Sequence, residues 1–283
     1  MSTNENKDKK AEVTALQAIS AEDRKDWISL AFVQAGICVC VPAFLLGALL
    51  AEAMPIWPAI ISGSLGYLIV VVGMVATGMI GCDLGLASCT CCQAGFGKSG
   101  ARFIVSTIFA VNMIGWFGIQ NGVCGEAFSN AMLAMTGWDI PVVVSNTIWG
   151  IIMLLTAVYG VHALEKLDKI SIPLLMIIMC YGTFLAFKVY GTGNLNDEGT
   201  VQSMSFMSGV ALSFNFTAVG TITGPDYTRF QKSRKDTVKS VFYGVFPMGV
   251  ITLIMGIVLT KLSGQYDICL LYTSPSPRDY AAS

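Results

Sequence analysis

Asn112, Trp116 and Gln120 recur at intervals of four in the stretch Asn112-Met113-Ile114-Gly115-Trp116-Phe117-Gly118-Ile119-Gln120. Residues four apart share one helix face, so two amides and an indole line up along one side. An amide among hydrocarbon is costly unless partnered, so the stripe must face protein or a water-filled cavity. These side chains suit a flat heteroaromatic guest. The indole supplies a stacking face, and the amide sets donor and acceptor side by side, the pattern with which Asn and Gln read a base edge. They fit equally a structural role, in which the amides bond across helices and the indole packs. A second aromatic lies in Ser213-Phe214-Asn215-Phe216-Thr217, where Phe216 either closes on the other face of the guest or packs in the core. Glu126 lies far enough along its apolar run to be an interfacial carboxylate.

The elements that must hold these residues are membrane spans. The chain has 283 residues, 54% hydrophobic and 12% charged, and its mean hydropathy is +0.66. Soluble domains carry about 25% charged residues. The charges are clustered, leaving uncharged runs at Trp27 to Ala51, Ala53 to Cys82, Phe103 to Gly125, Ile140 to Leu164, Ile170 to Phe187, Gly199 to Pro225 and Ser240 to Thr260. A span needs roughly 20 apolar residues to cross about 30 Å of hydrocarbon. The pattern predicts an all-α integral membrane protein of about seven transmembrane helices. With the N-terminus inside, only Lys188, Lys261 and Arg278 of the 17 Lys and Arg fall outside. Basic loops stay cytoplasmic, so this bias predicts a cytoplasmic N-terminus in the inner membrane.

Glycine and proline interrupt two of the runs. The first holds Gly36, Pro42 and Gly47; the sixth holds Gly209, Gly220, Gly224 and Pro225. Both residues favour unwinding, and unwound backbone at membrane depth survives only where it lines a cavity. Runs one and six are five apart, as in transporters built from two inverted five-helix repeats with discontinuous helices in matching positions. Glycine also serves as a close-packing residue in membrane helices, and the spacing fits both readings.

The remaining composition excludes other classes. The basic residues form no continuous stripe, so no nucleic-acid partner is expected. Cys38, Cys40, Cys124 and Cys180 lie in spans, where a thiol acts as a small hydrophobe. Cys82, Cys89, Cys91 and Cys92 cluster after span two without the paired spacing of a structural zinc site, so no metal is expected. There is no HExxH, no nucleophile elbow and a single histidine, so no enzyme is expected.

Trp116-Phe117-Gly118-Ile119-Gln120, the Gly220-Thr221-Ile222-Thr223-Gly224-Pro225-Asp226-Tyr227-Thr228-Arg229-Phe230 exit of span six and Phe96-Gly97-Lys98 together resemble the nucleobase:cation symporter-1 family, from about Ala21 to Gly264. That family holds cytosine, purine, allantoin and hydantoin permeases. The resemblance implies the inverted-repeat fold, here its first five-helix repeat plus two helices of the second. It also implies a ligand sandwiched between Trp116 and Phe216 and read by Gln120, with Asn112, Asn215 and Cys40 as further substrate-binding candidates. Backbone carbonyls near Gly36 and Val39 would form part of a cation site, with no cofactor beyond a coupling Na+ or H+. Cytosine permeases place a glutamine where this chain has Met113, whereas Trp-x-x-x-Gln is similar to the hydantoin and allantoin members.

The expected partners are a nucleobase-like solute, a coupling cation and the lipid bilayer. An amino-acid permease of the same architecture and a non-transporting membrane sensor are the alternatives. The expected organisation is a cytoplasmic tail over 1–26, a transporter domain over 27–264 that is incomplete at its C-terminal side, and a tail over 265–283, non-native or disordered. Alternating access is accordingly expected of a complete protein and not of this chain alone.

Overall fold

The computed structural model describes residues 16–158, 160–192, 195 and 204–264, the side chains of 158–166 and 168 excepted. Among them the backbone is helical between turns, with one isolated bridge, Lys25 to Gln231, and no strand. The helices are α1 (Trp27–Cys38), α2 (Val41–Ala53), α3 (Ile56–Leu84), α4 (Ser88–Cys91), α5 (Gln93–Gly100), α6 (Ser106–Thr136), α7 (Val142–Val158), α8 (Gly160–Tyr190), α9 (Phe206–Thr217), α10 (Val219–Thr228) and α11 (Arg234–Ser263). Gly85, Gly137 and Gly264 stop α3, α6 and α11 in the left-handed conformation that favours glycine.

Among the described residues five helices are long and apolar enough to cross a membrane, and α1 with α2 passes as a sixth, bent by 52°. The expected span Ile140 to Leu164 is shorter than its run. α7 has 17 residues, about 25 Å at 1.5 Å per residue, so a count of seven depends on it. The basic stretch expected as a loop before span five is instead the first turns of α8, whose span-like part is Lys169–Tyr190.

α1, α2, α3, α9, α10 and α11 pack together around Leu46, Leu50, Tyr67, Met74, Leu253 and Ile257, each at most 2% exposed. α6 pairs mainly with α7. Only 6% of the most apolar window of α6 is buried, against 44% for α3 and α11. Helices apolar all round and left uncovered are at home in hydrocarbon rather than in water.

Span one breaks where α1 gives way to α2 and the backbone leaves the helix at Val39 and Cys40. Pro42 sits in the first turn of α2, where its missing N–H costs nothing. Span six departs from expectation. Ala218, between α9 and α10, keeps helical dihedrals, and Phe206–Thr228 runs as one span through Pro225. The reason lies on α3. Proline leaves the carbonyl four residues back, that of Thr221, without its intrahelical donor. The Thr77 hydroxyl donates to that carbonyl at 2.6 Å.

It is one of several hydroxyl bonds joining span two to span six. Ser213 donates to the Gly63 carbonyl at 2.7 Å and Thr228 to that of Gly78 at 2.7 Å. Without a hydrophobic force between helices in lipid, such bonds and close packing hold them together. Thr77→Val, nearly isosteric, should cost about 1 to 2 kcal/mol by leaving the Thr221 carbonyl unpartnered. A lowered unfolding midpoint in detergent checks this, with Thr77→Ser expected to restore most of it.

Residues 1–15 and 265–283 lie outside the described residues. Residues 16–26 are docked. The Ile19 N–H donates to the Gly85 carbonyl at 3.0 Å, the Lys25 N–H to the Phe230 carbonyl at 2.6 Å, and the Arg24 guanidinium to the Gln231 carbonyl at 2.9 Å. Lys232 pairs with Asp26 at 2.5 Å, and Arg234 grips both oxygens of Asp83 at 2.9 and 3.0 Å.

Candidate functional site

The break in span one, α3, α6 and the α9–α10 span enclose a cavity of about 320 Å³. Its wall includes Cys40 from the break, Tyr67 and Met74 from α3, Trp116 and Gln120 from α6, and Phe216 from α9. Among the described residues no Asp, Glu, Lys, Arg or His lines it. A mostly apolar hollow with a few convergent polar groups is the usual form of a small-molecule site. The Cys40 thiol donates to the Ile37 carbonyl at 3.3 Å and lies within hydrogen-bond reach of the Gln120 side chain. Cys40 and Gln120 thus stand together in one wall, the break beside the amide expected to read a ligand edge.

Trp116 and Phe216 touch directly, edge to face, with centroids 5.2 Å apart and planes at 87°. A flat ring sandwiched between two aromatic faces needs about 7 Å between them, two van der Waals contacts of about 3.5 Å. A sandwiched ligand must therefore part the pair and turn Phe216 toward parallel. Breaking an edge-to-face contact costs about 0.5 to 1.5 kcal/mol, less than two new stacking faces return.

Asn112 and Asn215 do not line this cavity. They face a second hollow of about 230 Å³, which shares Trp116 and Phe216 as its wall. The aromatic pair is therefore a partition, with Gln120 and Cys40 on one side and the two asparagines on the other. Gly36 and Val39 do not line the large cavity either. Gly36 stays within α1, while Val39 caps it outside helical dihedrals, its N–H donating to the Ala35 carbonyl at 2.9 Å. Glu126 is exposed. Sequence reasoning missed Tyr67, 1% exposed and within the wall. A tyrosine buried mid-span needs protein around it, and Gly63, one turn before it, marked that face of α3 as closely packed.

Among the described residues no three His, Cys, Asp or Glu converge as a metal site would require. Burial first, then the neighbouring Cys92 and Asp226, hold the Cys91 thiol above its usual range. Cys91 is therefore a poor thiolate ligand at neutral pH.

The model of the family described as "Permease for cytosine/purines, uracil, thiamine, allantoin" matches residues 19–276. The cytosine permease of Escherichia coli K12 is 26% identical over 249 residues, covering 87% of this chain and 57% of that protein. The purine-uracil permease of Arabidopsis thaliana is 25% identical over 247 residues, covering 78% and 41%. The allantoin permease of Bacillus subtilis is 23% identical, covering 79% and 50%. This chain thus spans about half the length of the curated relatives it matches. Among solved structures, Mhp1, a nucleobase-cation-symport-1 family transporter, in a closed conformation with bromovinylhydantoin bound, superposes with a TM-score of 0.81 at 18% identity, over 92% of this chain and 61% of that one. Its inward-facing conformation gives 0.77 at 18% identity, over 90% and 58%. These likenesses show the fold.

Proposed function

Because the chain belongs to the family of permeases for cytosine/purines, uracil, thiamine and allantoin, we propose that its protein takes up a planar nitrogen heterocycle of the cytosine, purine, allantoin or hydantoin type by alternating access. Uptake is coupled to a cation, Na+ or H+, in the cytoplasmic membrane. One observation carries the reading: a cavity walled by an indole, a phenyl ring and a carboxamide, with no ionised side chain among the described residues. Stacking takes any flat heterocycle, and the Gln120 amide selects the edge it presents. The indole and carboxamide of Trp116 and Gln120 offer a stacking face and a base-edge pattern that a small amino acid does not use, which weighs against the amino-acid permease. Substrate binding is assigned to Trp116, Gln120, Phe216 and Cys40. Asn112 and Asn215 belong to the adjoining hollow on the same ligand path, and the carbonyls near Gly36 and Val39 to part of the cation site. A membrane potential contributes about 2.3 kcal/mol per charge per 100 mV, or about fifty-fold accumulation for one coupled cation.

Counterflow of labelled uracil, cytosine, allantoin and hydantoin in proteoliposomes of the whole protein tests this. Exchange of at least one, unaffected by excess amino acids, is expected. Exchange of a labelled amino acid without exchange of any heterocycle would overturn it, and no exchange of either would favour a sensor. The cytoplasmic N-terminus rests on the basic loops. A cysteine placed within Thr228 to Lys235 should be labelled by an impermeant maleimide only after cells are opened, and labelling in intact cells would reverse the topology.

A further inference from the structure

α6 and α7 meet along a seam that the cavity does not use. Asn121, Gly125 and Ser129 follow one another at intervals of four on α6, and Asn146 and Gly150 repeat the Asn-x-x-x-Gly spacing on α7. The motifs interlock in reverse order, as antiparallel helices require. Asn146 fills the space over Gly125, where an added Cβ would collide with its carboxamide oxygen and lie 2.9 Å from its backbone nitrogen. Asn121 lies over Gly150, where a Cβ would come 3.2 to 3.5 Å from its carboxamide. Ser145 donates to the Gly125 carbonyl at 2.8 Å and Ser129 to that of Ile140 at 2.5 Å. The side-chain oxygens of both asparagines are enclosed without a hydrogen-bond partner, and this arrangement is kept although each would be better solvated elsewhere.

We propose that this double Asn-on-Gly lock sets the rotation of α6, and that Asn121 and Asn146 are positioning residues for Trp116 and Gln120. Asn121 follows Gln120 directly, about 100° round the helix, so fixing one direction fixes the other. The amide stripe of α6 limits its rotation only loosely, because the helix is otherwise apolar and lipid offers no burial gradient, so close packing must set the angle. A turn of 20° would carry a side-chain tip lying about 5 to 6 Å from the axis through about 2 Å, enough to part Gln120 from Cys40.

The test reads that rotation without any ligand, so it stands apart from the proposed substrate. In the full protein keeping Cys40 as its one native cysteine and carrying Gln120→Cys, copper phenanthroline should form a disulfide between the two positions, seen by mass spectrometry of the linked peptides. Asn121→Ala and Asn146→Ala should each slow its formation at least five-fold in protein that still elutes as a single species, and Asn121→Ser should recover part of the rate. Gly125→Ala should slow it more than Gly150→Ala, since only Gly125 faces a backbone atom at close range. If an asparagine variant does not fold, Gly150→Ala, whose added methyl meets only a side chain, decides alone. Unchanged rates in the folded variants would overturn the lock as the device that positions α6.

Discussion

Trp116→Ala is expected to weaken heterocycle binding about 3- to 30-fold, the largest effect of any single side chain in the cavity. Removing an aromatic platform under a base costs about 1 to 3 kcal/mol. The loss is partly offset, because the variant no longer spends binding energy on parting Trp116 from Phe216. Trp116→Phe keeps a face and should return most of the affinity. Equilibrium titration of the whole protein with the heterocycle that exchanges best provides the measurement. With the coupling cation held constant, the affinity of both forms should vary little with ionic strength, since among the described residues no ionised group lines the cavity. An unchanged affinity in Trp116→Ala would remove the indole from the site.

Gly47→Ala and Gly256→Ala should leave almost no folded protein. A Cβ on Gly47 would strike the carbonyl oxygen of Leu253 and lie 3.0 Å from the nitrogen of Ile257; one on Gly256 would strike the carbonyl oxygen of Phe44. Every obstacle is backbone, so α2 and α11 would have to separate. That separation strips contacts from Leu46, Leu50, Leu253 and Ile257, which are at most 1% exposed. Overpacking costs about 1 to 3 kcal/mol where side chains can adjust, and more where only backbone can move. Gly115→Ala and Gly118→Ala, with nothing within 4 Å of the added methyl, serve as controls. Size-exclusion profiles of fluorescent fusions should show loss of the monodisperse peak in the first pair and none in the second.

Much of this was legible in the residues. Six of the seven uncharged runs fall on helices long and apolar enough to cross a membrane, the bent α1–α2 pair counted as one, and Trp116, Gln120, Phe216 and Cys40 do line one cavity. Asn112 separates from Gln120 because eight residues advance a helix by about 80° beyond two full turns, and the Trp116 ring fills the angle between them. Asn215 precedes Phe216 by one residue, about 100° away, and so falls across the partition. The uninterrupted span six was not legible, since the donor that rescues Thr221 is Thr77, 144 residues away in sequence. The seam between α6 and α7 was written twice as Asn-x-x-x-Gly, but the neighbouring indole and amide drew the more obvious stripe.

The break at Val39 and Cys40 has an electrostatic consequence. Aligned peptide dipoles leave about half a negative charge at the end of α1 and about half a positive charge at the start of α2, so two opposite poles face each other at membrane depth. Both belong to the backbone and survive any side-chain substitution that keeps the bend. A cavity without a carboxylate, amine, guanidinium or imidazole in its wall is thereby polarised along a fixed direction. A guest whose own dipole opposes that direction meets like sign at both ends, so the backbone alone discriminates between a heterocycle and the same heterocycle reversed.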